Sequence, residues 1–143
     1  MREGLRLVLH GLGGGRDVLT PIATFWINSL LVWLLDIVAL GTVADVAALR
    51  GLNRAFVAQG LKVMARRRNV GIAALIDASR LTRAPTATDL GFALGPRINA
   101  GGRVGKSDLG VRLLTTEDPG EAAAIAAELD RLNEERRAIE AAV

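Results

Sequence analysis

The feature that most constrains this chain is an almost unbroken apolar run from Ile22 to Leu40. A run approaching the length of a bilayer span must be buried, either in lipid or in the protein's own core. Asn28, Ser29 and Asp36 interrupt it, while Leu30, Leu31, Leu34, Leu35 and Val38 recur at helical spacing. That pattern predicts a core helix with those leucines inward, not a membrane-spanning one. Gly41 is expected to end the helix. Thr42 to Val46 then continues as a buried apolar segment until Gly51.

At 143 residues, with 50% hydrophobic and 23% charged side chains, the chain is too apolar to be mainly disordered. It is long enough to bury roughly two thirds of its unfolded surface. The absence of cysteine excludes disulfide frameworks, thiolate metal sites and cysteine nucleophiles, and fits a cytoplasmic location. Met1 to Leu9 lead into glycines, not into a cleavage site for export. Lysine and arginine outnumber aspartate and glutamate 18 to 15, which permits a polyanionic partner without requiring one. Aromatic residues make up only 3% of the chain. A stacking platform is therefore not expected, and a nucleic acid would be held mainly by its phosphates.

From Asn53 to Arg68, Phe56, Gly60, Val63 and Met64 fall on one side, and Arg54, Gln59, Lys62 and Arg66 on the other. This spacing predicts an amphipathic helix whose basic end, Arg66 to Arg68, complements the negative pole of its dipole. A short apolar helix is expected from Val70 to Ala78, then a polar turn around Pro85 and a helical turn from Thr88 to Leu94. The glycines between Gly95 and Gly105 predict an irregular loop. Ser107 is placed to cap a short helix to Leu114. Asp118-Pro119 opens a final helix through Ile125, Leu129, Leu132 and Ile139. No internal repeat is visible.

Ala100 to Ser107 nearly matches a phosphate-binding P-loop ending in Gly-Lys-Ser, but such a loop must come after a buried strand and open a substantial helix. Here Pro96 and Arg97 precede it, and Gly110 interrupts the short segment after Ser107. In the Gly11 to Gly15 cluster, Arg16 stands where a dinucleotide fingerprint needs its third glycine, so a flexible turn is the simpler reading. His10 is the single histidine and cannot make a metal site by itself. Asp45 sits among apolar neighbours, where a carboxylate needs a cation or hydrogen-bond donors; a capping role and a metal-binding role both satisfy that need. Arg97 and Arg103, beside Asn99, either brace the loop or clamp a phosphate.

Three stretches taken together resemble the RecJ single-stranded-DNA exonucleases of the DHH phosphoesterase superfamily. They are Leu34 to Val46, Asn53-Arg54 opening a helix, and Gly91 to Arg103, and the resemblance extends from about Leu34 to Val143. It implies an α/β two-domain enzyme in which a DHH domain holds two divalent metals, Mn²⁺ or Mg²⁺. A helix crosses to a second domain, and single-stranded DNA threads between the two to be hydrolysed from its 5′ end. On that resemblance Asp45 matches the family's last metal-ligating aspartate. Arg97, with Asn99 and Arg103, matches the loop facing the cleft, and Lys106 is expected to join them in binding substrate phosphate.

Parts of the family pattern are missing. The family's earlier aspartate motifs and its Asp-His-His have no counterpart here, nor does its later glycine-rich histidine motif. The chain therefore reads as an internal piece, predominantly α-helical with few short strands. Residues 1–51 are expected to be the end of the DHH domain, with 1–31 atypical and read as a divergent or frame-shifted start; 52–68 the interdomain helix; and 69–143 the start of the second domain. With one of several ligands present, the piece alone is expected to lack activity. Expected partners are single-stranded DNA and DNA-repair proteins, with no membrane. The alternatives are a non-catalytic helical binding module and a P-loop nucleotide binder through Lys106 and Ser107.

Overall fold

A computed structural model of the chain describes Thr24 and residues 29–103 and 106–142. His10, the Gly11 to Gly15 cluster and nearly all of the atypical start lie outside the described residues. Met1–Leu31 and Val32–Val143 are separate compact units. All regular structure of the second unit is helical among the described residues; the few short strands expected from the sequence are absent there.

Helix α1 spans Leu35–Ala44 and packs on α2, Gly51–Met64. The inward face of α1 is Asp36, Ala39 and Leu40, not the leucine face expected, because Leu34 and Val38 are exposed. A helix that is apolar almost all round has no strong stripe, so its partner selects the buried face. Gly41 does not end the helix, which continues to Ala44. On α2 the buried residues Val57, Gly60 and Met64 form one stripe. A Cβ on Gly60 would lie 2.1 Å from the Leu35 carbonyl oxygen and 2.5 Å from Ala39 Cβ, so glycine permits this close crossing. The helix stops a turn earlier than predicted. Arg67 leaves it with a positive φ and pairs with Asp77 at 2.6 Å, while Arg68 stacks 4.9 Å above the Trp33 ring.

Helix α3, Val70–Ala78, lies where the sequence placed it. Asn69 caps it by accepting from the Ile72 amide at 2.8 Å, and its Nδ2 donates to the Leu114 carbonyl at 3.2 Å. One side chain thus ties the start of α3 to the end of α6, Asp108–Thr115. Between them runs a continuous helical stretch of three pieces: the short α4, Ala87–Asp89; a π-helical turn, Leu90–Leu94; and α5, Gly95–Arg103. Thr86 and Asp89 form a reciprocal capping box at its start.

The region expected as an irregular loop is therefore a helix, and its glycines have local reasons. Gly95 donates its amide to Leu90 O, closing the wide turn, and a Cβ there would lie 2.7 Å from that oxygen. A Cβ on Gly101 would meet Lys106 O at 3.0 Å and Leu129 Cδ2 at 3.1 Å. Pro96 directly follows the wide turn within this stretch, where the regular i→i−4 ladder that its missing amide hydrogen would break is already interrupted. Packing has overridden helix propensity here. The last helix, α7, spans Pro119–Ala141, with the Asp118 carboxylate accepting from the Gly120 and Glu121 amides. Leu75, Leu90, Leu94, Leu113 and Leu129 are fully buried at the centre. Shortening any of them to alanine is expected to cost about 2–5 kcal/mol.

Candidate nucleic-acid interface

Asp45 stands at the turn that ends α1. The Val46 amide donates to Val43 O and the Ala47 amide to Thr42 O, both at 3.0 Å, the paired closure that usually employs glycine in the left-handed position. Here the residue is Val46, with φ 56° and 88% exposure. A β-branched residue in that conformation is strained by about 1–2 kcal/mol. The turn directs the chain away from α1 and leaves Asp45 exposed, with no ion-pair partner among the described residues.

Helix α5 reaches this turn through one hydrogen bond, from Asn99 Nδ2 to Ala44 O at 3.4 Å. The result is a cavity of about 230 Å³ lined by Ala44 and Val46 on one side and by Gly91, Gly95, Pro96, Asn99 and Arg103 on the other. Arg136 of α7 closes it. Arg103 is exposed and without an ion-pair partner among the described residues. Arg136 bonds Glu140 at 2.6 Å and Asn133 Oδ1 at 3.2 Å, which fixes its guanidinium at the wall. The sequence reading omitted Arg136, which lies far along the chain on a helix whose facing partner no local motif reveals.

The other two residues expected at the phosphate face are placed differently. Arg97 is largely buried: Nε and Nη2 approach Asp130 Oδ1 at 2.8 and 2.7 Å, and Nη1 donates to Ala93 O at 2.7 Å. Lys106 Nζ lies 2.7 Å from Glu128 Oε1. Arg131 also binds Glu128 and, with Lys106, lowers the pKa of that carboxyl to about 2. The structure thus brings Asn99 and Arg103 to the Asp45 turn, and engages Arg97 and Lys106 with α7.

The Gly-Lys-Ser match has no phosphate cradle around it among the described residues. Ala100 to Arg103 is the last turn of α5, and among the described residues no strand precedes it. A larger groove of about 420 Å³ between α3 and α7 is walled mainly by alanines, and its polar rim is the self-satisfied Arg67–Asp77 pair. No described helix is long and apolar enough to cross a membrane.

No family model matches the chain. It is 50% identical over 110 residues, 76% of its own length, to the single-stranded-DNA-specific exonuclease RecJ of Dickeya dadantii, covering 19% of that protein. The Escherichia coli RecJ is 50% identical over 109 residues, 75% of this chain and 19% of the relative. The chain thus spans about a fifth of the length of these relatives. The crystal structure of Thermus thermophilus RecJ in complex with Mn²⁺ matches 78% of this chain and 17% of its own, with a TM-score of 0.72 and 40% identity.

Proposed function

Over three quarters of its length this chain belongs to the RecJ family of single-stranded-DNA-specific exonucleases, and on that premise we propose that it supplies one wall of a single-stranded-DNA path. Asn99 and Arg103, backed by Arg136, hold a backbone phosphate beside Asp45. The observation that carries this reading is the Asn99–Ala44 hydrogen bond, which seats the arginine-bearing helix against the Asp45 turn and makes one cavity of the two. A fork of guanidinium donors recognises phosphate oxygens regardless of sequence, as an exonuclease requires.

The solved relatives are RecJ with Mn²⁺ or Mg²⁺, and hard ions of this kind need several oxygen or imidazole ligands each. The described residues do not fit such a centre, since none of them form a group of three or more histidine, aspartate or glutamate ligands. Asp45 is a single exposed carboxylate. In this reading it contributes one ligand to a centre completed by other residues, and the purified chain binds DNA without hydrolysing it.

The test is fluorescence anisotropy with a labelled oligo-dT across a salt series, alongside release of nucleotides with Mn²⁺ or Mg²⁺ present. Binding should weaken steeply with salt, because phosphate contacts release counterions. No nucleotide should be released. Absent or salt-independent binding overturns the phosphate wall. Metal-dependent release that Asp45→Ala abolishes overturns the claim that the chain is inactive alone.

A further inference from the structure

The π-helical turn Leu90–Leu94 buries Leu90 and Leu94 completely yet leaves Phe92 84% exposed. An aromatic ring so placed forgoes the burial that normally stabilises it. A widened helical turn is also the kind of local irregularity that collects at functional positions. Its neighbours are informative. Gly91 and Gly95, which bracket Phe92, both line the cavity that Asn99 and Arg103 share with the Asp45 turn. The ring therefore stands on the same turn of helix as one end of the cavity wall, and Arg103, which has no ion-pair partner among the described residues, lies eleven residues further along the same helical stretch.

We infer that Phe92 stacks against a nucleobase of the single strand whose phosphate Arg103 holds. The inference rests on the phosphate-wall reading above and adds a second type of contact to it. A nucleotide presents a charged phosphate and, a few ångströms away, a flat apolar base. Phe92 and Arg103 are eleven residues apart on one helical stretch, about 16 Å along its axis, so the base that stacks and the phosphate that is held belong to different nucleotides of one strand. One such ring is not the platform that the low aromatic content argued against. Because every base has a π face, it grips the strand without selecting sequence.

The experiment compares oligo-dT with an abasic oligomer of the same length, which keeps the sugar-phosphate chain and lacks the bases. Loss of one base–aromatic stack is expected to weaken oligo-dT binding by about tenfold in Phe92→Ala and Phe92→Leu. Affinity for the abasic oligomer should not change. Phe92→Trp should retain wild-type affinity and lose indole emission on adding oligo-dT, but not on adding the abasic oligomer. Arg103→Ala should weaken both. Equal affinity of wild type and Phe92→Ala for oligo-dT overturns the stacking role and leaves the phosphate wall standing; that result is also expected if a protein surface covers the ring. Failure of the wild type to bind either oligomer overturns both.

Discussion

Arg97 and Asp130 meet across the α5–α7 contact with two guanidinium nitrogens within 2.8 Å of one carboxylate oxygen, and both side chains are nearly excluded from solvent. A third nitrogen donates to the Ala93 carbonyl at 2.7 Å, at the end of the π turn. The arginine thereby joins the long helix to the segment that carries the cavity wall. Without Arg97, the largely buried Asp130 carboxylate keeps only the exposed Arg80, 3.8 Å away, as an ion-pair partner among the described residues.

Arg97→Ala is therefore expected to lower stability by about 3 kcal/mol. Arg97→Lys should recover little, since a lysine cannot serve Asp130 and the carbonyl together. Urea unfolding checks this through a lowered midpoint at an unchanged slope. Wild-type stability in Arg97→Ala, accompanied by weakened DNA binding, would assign Arg97 to the ligand instead.

Arg103 should behave in the opposite way. It is exposed and has no ion-pair partner among the described residues, so Arg103→Ala is expected to leave stability within about 0.5 kcal/mol of wild type. The slope of log affinity against log salt should fall by about one. Thermal melts and an anisotropy salt series separate the two arginines cleanly.

The contrast also shows what a one-dimensional reading can reach. Asp118-Pro119 opening α7 was legible because caps act within three residues of themselves; the caps at Asn69 and Thr86 were not named, and Ser107, expected as a cap, precedes α6 without a side-chain cap hydrogen bond. Asp45, Asn99 and Arg103 could be named as candidates from residue type and resemblance. Which arginine faces solvent could not, because the answer lies in Asp130, on a helix far along the chain. The helix from Gly95 to Arg103 was missed for a related reason. Gly95 and Gly101 mark close approach to Leu90 O, Lys106 O and Leu129, and local propensity cannot tell such a glycine from a loop glycine. The inward face of α1 was misjudged because apolar residues nearly surround it.

Glycines on α1 and α2 should respond to alanine with opposite signs. Gly60→Ala drives a methyl into the Leu35 carbonyl and Ala39, and the helices must separate, at an expected cost of about 2–3 kcal/mol. Gly41→Ala meets nothing within 4 Å and should raise stability by about 0.5–1 kcal/mol through helix propensity. Chemical denaturation of the two variants decides it; equal effects would contradict the close crossing.

At the Asp45 turn, Val46→Gly should relieve the positive-φ strain and raise stability by about 1 kcal/mol, less whatever the unfolded chain gains in freedom. Since Val46 also lines the cavity, DNA affinity should fall as the turn loosens. Higher thermal stability with weaker oligo-dT binding is the expected pair of results. A destabilised Val46→Gly would mean that the side chain contributes more than its backbone costs.

Asp89 gives the acid limb of stability a defined origin. Arg83 engages both of its oxygens at 2.6 and 3.1 Å, and the Thr86 amide and hydroxyl each donate to Oδ2 at 2.7 Å. Arg83 first, then Thr86, lower its pKa from 3.8 to about 2. A carboxyl held below its unfolded value binds its proton more readily once unfolded, so protonation favours unfolding. Its contribution is complete above about pH 4 and is lost as the pH falls from there through about 2. Glu128 titrates in the same window, so the informative quantity is the difference between wild type and Asp89→Asn. At neutral pH the variant should be less stable, and the gap should close as the pH approaches 2. A gap that stayed constant in acid would show that the cap acts through its hydrogen-bond geometry and not through the charge.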